Sequence, residues 1–219
     1  MRPFKLIIAG VGGQGTLLAS RLLAYSAIKA GEPVKIGETY GMAQRGGPVM
    51  GHVQIGGEVS SPQICPGEAD VLLGFEEGEA VRRGASYLKV NGLALVNNRR
   101  LPPVEVISGM VEYPSRERLT TLLSKVTRNI VSFDATALAE EAGDPITTNI
   151  VMLGALSASG YLPFSEEIVI EAMKENVRKA YLETNLKAFE SGKRKFKITV
   201  EGARARNLAG GHTPCLREL

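Results

Sequence analysis

The opening of the chain limits its fold more than any other stretch. Leu6–Ala9 is an unbroken apolar run, the mark of a parallel strand covered on both faces. It leads straight into Gly10-Val11-Gly12-Gly13-Gln14-Gly15. Thr16–Ala30 then carries Leu17, Leu18, Leu22, Ala24 and Ile28 at helical spacing, with Gly31 as the stop. Gly10, Gly12 and Gly15 satisfy G-x-G-x-x-G. Such a turn lets backbone approach a phosphate closely, and the helix behind it offers unpaired N–H groups and partial positive charge. The same glycines also permit tight strand–helix packing with nothing bound, so the motif alone does not decide between the two.

Beyond this turn the pattern keeps alternating. Pro33–Glu38 reads as a second strand, and Glu38 stands where a ribose-binding acid would lie in an NAD enzyme. Gly47–Gly57 alternates as extended structure, read as a β-hairpin arm. Ala69–Glu76, Gly92–Asn98 and Asn129–Ala135 read as strands, and Pro103–Ser108 is a candidate strand. Glu77–Leu88 and Ser115–Val126 read as helices, the latter capped by Ser115. Thr147–Gly160 is apolar nearly all round, as in a buried helix. Ser165–Gly192 reads as one long helix with Ser165 as cap, Glu166 and Glu167 at its positive end and Gly192 closing it. These elements predict a doubly wound, Rossmann-like, mostly parallel sheet with helices on both faces. Residues 1–192 form one domain in this reading, and 193–219 a polar C-terminal tail.

Composition narrows the chemistry. The formal charge is +3, with acids and bases interspersed, which argues against a nucleic-acid surface. Lys193–Lys197 reads as a solvated turn. The two cysteines, Cys65 and Cys215, are far apart and form no C-x-x-C, so this chain alone lacks the usual spacing for an iron–sulfur cluster or a structural zinc. No apolar run reaches the roughly 20 residues of a membrane span, and a soluble cytoplasmic protein is expected. His52 and His212 read as satisfied or surface residues. The run Glu38–Val53, ETYGMAQRGGPVMGHV, is less ordinary. Its glycines imply close approach by another backbone or a ligand. Arg45 can hold an anion through two donors, and Met42, Pro48, Val49 and Met50 suggest an exposed interface.

Taken together, GVGGQGTLLASRLLA and ETYGMAQRGGPVMGHVQIG closely resemble the gamma-type subunits of 2-oxoacid:ferredoxin oxidoreductases. DVLLGFEEGEA, TNIVMLGAL and NLKAFESG extend the resemblance over roughly residues 4–192. GMAQRGG looks most like the indolepyruvate (arylpyruvate) branch, whose corresponding piece is a beta subunit. The resemblance implies a complex that converts a 2-oxoacid, coenzyme A and oxidised ferredoxin into acyl-CoA, carbon dioxide and reduced ferredoxin. Such complexes use thiamine diphosphate and 4Fe-4S clusters. This chain has neither a cysteine cluster nor a GDG ahead of Asn97–Asn98, so both cofactors are expected on an alpha-type partner chain. Gly12, Gly13, Gln14, Gly15 and Thr16 match the first family motif. Gly41, Met42, Gln44, Arg45 and Gly46 match the second. The resemblance implies that they line an active-site cleft, with Gln14 and the loop N–H groups meeting a polar or anionic ligand and Arg45 meeting a carboxylate, a phosphate or the partner. No proton-transfer catalyst is assignable. A free NAD(P)-linked dehydrogenase and a scaffold without chemistry remain alternative readings at this point.

Overall fold

A computed structural model describes residues 2–38, 46–102 and 104–208. Six strands form one sheet: β1 (Phe4–Val11), β2 (Val34–Glu38), β3 (Pro48–Ile55), β4 (Ala69–Gly74), β5 (Leu88–Asn97) and β6 (Ile130–Phe133), in the order β2-β3-β1-β4-β5-β6. β1, β4, β5 and β6 pair in parallel, whereas β3 runs antiparallel to both of its neighbours. The segment expected as a hairpin arm is therefore a full member of the sheet. Val49 and Met50 are buried in it rather than exposed at an interface.

Alternation along each strand divides the core in two. Leu6, Ile8, Val71, Leu73 and Leu95 face one side, where α1 (Thr16–Lys29), α5 (Ala135–Ala142), α6 (Thr148–Ala158), α7 (Glu166–Asn176) and α8 (Lys179–Leu208) pack. Ile7, Ala9, Leu72 and Ala94 face the other side and meet α2 (Glu77–Tyr87) and α4 (Arg116–Ser124). Helices on both faces of a mostly parallel sheet match the expectation from sequence. Ser115 caps α4, its Oγ accepting from the Arg118 N–H at 3.3 Å.

Several expectations are corrected. Val104–Ile107 within the candidate strand is a short helix, α3. Its apolar side chains are solvent-facing, with Ile107 75% exposed, so they have no sheet face to fill. The long helix read over Ser165–Gly192 is two helices, broken at Val177 and Arg178. Ser165 occupies the N-cap position of α7 without accepting a helix N–H. Gly192 does not end α8, which continues to Leu208 through the Lys193–Lys197 run and past the boundary set for a polar tail. That run is no free turn: Phe196 is buried, and Lys193 pairs with Glu166 at 2.9 Å and Glu190 at 3.0 Å.

The reason for Gly192 is a helix crossing. A Cβ on Gly192 would overlap the Val151 carbonyl of α6, and one on Gly154 would overlap the Phe189 carbonyl of α8. The paired glycines bring two helix backbones into contact, which explains why α6 is buried nearly all round. The N-terminus of α6 meets the glycine turn after β1 through Asn149.

Candidate active site at the strand ends

The sheet changes winding direction between β1 and β4, since α1 covers one face and α2 the other. Ligands of open α/β sheets collect at such a point, beyond the carboxyl ends of the strands. The first motif lies here, and the described end of the second, Gly46 and Gly47, is bonded to it. Gly12 donates its N–H to the Gly47 carbonyl at 2.8 Å and accepts from the Gly46 N–H at 3.2 Å. The glycine turn is thus stitched to the end of the second motif. Gly41, Met42, Gln44 and Arg45 lie outside the described residues. The residues that bracket them, Glu38 and Gly46, stand beside the turn.

Much of the motif answers an internal need. A Cβ on Gly10 would meet Gln14 Oε1 at 2.8 Å and Phe75 Cβ at 3.1 Å. Gly15 has φ +77° and is the N-cap of α1. A side chain there would be strained, and its Cβ would lie 2.5 Å from Asn149 Nδ2. Asn149 is buried at the start of α6 and donates to the Gly15 carbonyl at 3.2 Å. The Gln14 amide, expected to serve a ligand, is engaged within the protein. Its Oε1 accepts from the Val11 N–H at 2.7 Å, and its Nε2 donates to the Phe75 carbonyl at 2.9 Å. Gln14 therefore ties the end of β1 to the end of β4.

What is left open is the helix end itself. α1 has no side-chain cap, and its first-turn N–H groups have no carbonyl one turn behind them. A cavity of about 310 Å³ opens there, lined by Gly12, Gly13, Gly15, Thr16, Leu17, Ser20, Glu38, Val49, Met50 and Gly51. A second cavity of about 270 Å³ lies on the other side of the turn. Gly13, Gln14, Arg99, Arg100, Leu101, Thr136, Pro145, Ile146 and Thr148 line it. Gly13 touches both and has nothing within 4 Å of where its Cβ would be. The second cavity brings two guanidinium groups and two hydroxyls near the turn, but each is engaged within the protein: Arg99 lies 3.7 Å from Asp134 and 3.6 Å from Glu140, Arg100 donates to the Pro114 carbonyl, Thr136 accepts from Asn97, and Thr148 donates to the Pro145 carbonyl.

Sequence reading missed these four residues and two asparagines. Asn97 is fully buried: its Nδ2 donates to the Phe75 carbonyl at 3.2 Å and to Thr136 Oγ1 at 3.1 Å, and its Oδ1 accepts from the Ala135 N–H at 2.9 Å. It is a brace joining β4, β5 and α5. The signal for both asparagines was a polar residue at the edge of an apolar run, in GLALVNN and TTNIVMLGAL.

The turn after β4 is built differently. Glu76 is fully buried and caps α2, accepting from the Glu79 N–H at 2.8 Å and from the Tyr113 hydroxyl. Tyr113 is held well above the ordinary phenol range, first by burial and then by its bond to Glu76. Glu77 pairs with Arg116 at 3.1 Å, yet burial outweighs this and raises its carboxyl above the ordinary value.

The geometry disfavours a free NAD enzyme. A ribose-binding acid belongs on the strand next to β1. Here β3 intervenes, so the strand that Glu38 ends lies two strand spacings, about 10 Å, from β1, although Glu38 lines the cavity at the turn. His52 is a core residue: its Nδ1 accepts from the Ile64 N–H at 3.2 Å, its ring meets Tyr87 edge-on at 5.4 Å, and burial lowers its pKa. His212 and Cys215 lie outside the described residues, and Cys65 is exposed. Among the described residues no group of His, Cys, Asp and Glu has the arrangement to hold a metal ion, and no helix is long and apolar enough to cross a membrane.

Comparison with known proteins agrees with this picture. Residues 5–195 match the family model described as pyruvate ferredoxin/flavodoxin oxidoreductase. The chain is 42% identical over 193 residues to indolepyruvate oxidoreductase subunit IorB of Pyrococcus horikoshii, covering 88% of this chain and 95% of that protein. Its fold is similar to the gamma subunit of a keto/oxoacid ferredoxin oxidoreductase from Geobacter sulfurreducens, with a TM-score of 0.65 and 27% identity, covering 89% of this chain and 99% of that one. It also matches ketoisovalerate oxidoreductase subunit VorA of Methanothermobacter marburgensis at 27% identity, covering 87% of this chain but 36% of that longer protein. The chain belongs to the pyruvate ferredoxin/flavodoxin oxidoreductase family.

Proposed function

We propose that this chain is the subunit without redox groups in a cytoplasmic 2-oxoacid:ferredoxin oxidoreductase, with indolepyruvate or another arylpyruvate as substrate. The observation that carries the reading is the stitching of Gly12 to Gly46 and Gly47, which joins both motifs of the resemblance at the switch point of the sheet. The 42% identity to an indolepyruvate oxidoreductase subunit favours the aryl branch over other 2-oxoacids.

The complex joins a 2-oxoacid and coenzyme A, releases carbon dioxide and passes two electrons to ferredoxin. Thiamine diphosphate supplies the electron sink for decarboxylation, and 4Fe-4S clusters carry the electrons. The residues present here do not fit either group. Asn97 is committed to backbone and Thr136, and Cys65 stands singly at the surface. Both cofactors therefore belong to an alpha-type partner, which also faces ferredoxin. This chain contributes one wall of the cleft. The open end of α1 with Gly12, Gly13, Gly15 and Thr16, and Arg45 with Gly41, Met42, Gln44 and Gly46, orient anionic parts of the substrates and exclude water. Gln14 acts as a positioning residue through its bonds to Val11 and Phe75.

The test is co-expression with a partner that carries thiamine diphosphate and iron–sulfur signatures. Viologen reduction should require both chains, coenzyme A and an arylpyruvate, with pyruvate and 2-oxoglutarate much poorer. Oxidation of NADH by the isolated chain, or arylpyruvate turnover by the partner alone, would overturn the reading.

A further inference from the structure

Among the described residues, exposed large apolar side chains gather in two places, a stripe of Leu18, Tyr25 and Ile28 on α1 and a denser stretch after β5. Five of the eleven residues from 101 to 111 are large, apolar and exposed: Leu101, Val104, Ile107, Met110 and Val111, with Met110 at 78%. The stretch is built, not frayed. Ser108 donates to the Val104 carbonyl at 2.8 Å, and Gly109 donates to the Val106 carbonyl at 3.0 Å. Both flanks are anchored. Arg100 lies 4.7 Å over the Tyr113 ring and donates to the Pro114 carbonyl at 2.6 Å, while the Tyr113 hydroxyl donates to buried Glu76. A short helix whose flanks are tied to each other and to Glu76, with its exposed apolar side chains turned to solvent, buries little for the isolated fold.

Its position is continuous with the candidate site. The Val104 N–H donates to the Gly46 carbonyl at 3.3 Å, and Leu101 lines the cavity shared with Gly13 and Gln14. On the reading above, the reactive groups for this cleft come from another chain, so that chain must cover the rim of the cavity. The match to a third of the longer VorA shows this unit built into a larger polypeptide in a relative, where some of its surface adjoins further sequence. An apolar centre beside arginines is also the usual composition of a stable interface.

We infer that the Leu101–Val111 platform is the docking surface for the cofactor-carrying partner subunit, with Ile107 and Met110 as its anchors. The occupant is an apolar face of that subunit next to its active site. This rests on the proposed function, and the experiment separates the two.

The two-chain complex is co-expressed with Ile107→Asp/Met110→Asp in this chain, with Ile107→Ser/Met110→Ser as a milder version. Ile198→Asp, an exposed position on α8, is the control. The dissociation constant is read by sedimentation, turnover by arylpyruvate-dependent viologen reduction, and folding of each isolated chain by thermal unfolding. The aspartate pair should weaken assembly about tenfold or more, since truncating central anchors has effects of that order. The serine pair should act less strongly, and the control and the thermal transitions should not move. A working complex whose affinity ignores both pairs overturns the docking inference and leaves the proposed function standing. So does self-association of this chain that the aspartate pair abolishes while the two-chain complex survives. Failure of the wild-type chains to assemble or turn over overturns the functional reading, and the docking inference with it.

Discussion

Three helices follow directly on parallel strands, and two of the three turns solve the same problem in opposite ways. After β4, the N-terminus of α2 is filled from within: the Glu76 carboxylate takes the Glu79 N–H and the Tyr113 hydroxyl. After β6, Asp134 caps α5 by accepting from the Ala137 N–H at 2.8 Å. After β1, Gly15 caps α1 with no side chain at all. The macrodipole and the unpaired N–H groups exist at every helix start. Only the first of these turns leaves them to be met from outside. A carboxylate supplied by the protein fills the turns after β4 and β6, and its omission leaves the turn after β1 open, as the proposed ligand site requires.

The largest effect should come from emptying the filled turn. Glu76→Ala leaves a buried hydroxyl and a helix N–H without their acceptor, and losing such partners costs about 2–4 kcal/mol in combination. Urea unfolding of the isolated chain measures it. A loss below about 0.5 kcal/mol would show that this turn is not held by its acid. Next comes the open turn. Gly15→Ala forces a left-handed backbone on alanine, about 1–2 kcal/mol, and pushes against Asn149. Turnover of the complex should fall in parallel, because Gly15 itself belongs to the cavity wall. A stable but inactive variant would sharpen the contrast, and a destabilised but fully active one would break it.

How much of this was legible beforehand depended on how local the cause is. The strands announced themselves through apolar runs, and the turn after β1 through its glycines, since those signals sit within a few residues of their effect. The insertion of β3 between β1 and β2 was not visible, because strand neighbours are chosen by pairing across the sequence. Gly192 ended a periodic run and so resembled a stop, but its reason is the α6 backbone some 40 positions earlier. The true break, at Val177 and Arg178, contains neither Gly nor Pro. α5 went unread because its eight residues lie close after a strand. For the site, the glycines and Gln14 were found, but the Gln14 partners were not, and Glu76 was counted as part of a strand that ends at Gly74.

Gln14 gives the third and smaller effect, and it tests which side of the contrast that residue serves. Gln14→Ala orphans the Val11 N–H while Phe75 keeps its bond from Asn97, so about 1–2 kcal/mol of stability should go. In the complex, kcat should fall because the turn shifts, with KM for coenzyme A and arylpyruvate nearly constant. A raised KM with unaltered unfolding would instead make Gln14 a ligand contact, as the sequence alone suggested.

The smallest effect concerns the filled turn and pH. Burial raises the Glu77 carboxyl above its ordinary 4.5, so the folded chain binds that proton more tightly than the unfolded one. The sign follows from linkage. The contribution of Glu77 is most favourable below the unfolded value and declines as pH rises through the raised folded value. Arg116, whose ion pair lowers the carboxyl, limits the decline without cancelling it. Glu77→Gln removes the titration. The unfolding free energy of Glu77→Gln minus that of wild type should therefore climb as pH is raised from 4 towards 7. The matching substitution Gln14→Glu would place a carboxylate at the open turn; it loses the bond to the Phe75 carbonyl and so some stability, and it should also lower affinity for anionic substrates more as pH rises. A flat difference curve would mean that the Glu77 carboxyl is solvated in the first turn of α2, and burial at the filled turn would then stop at the Glu76 cap.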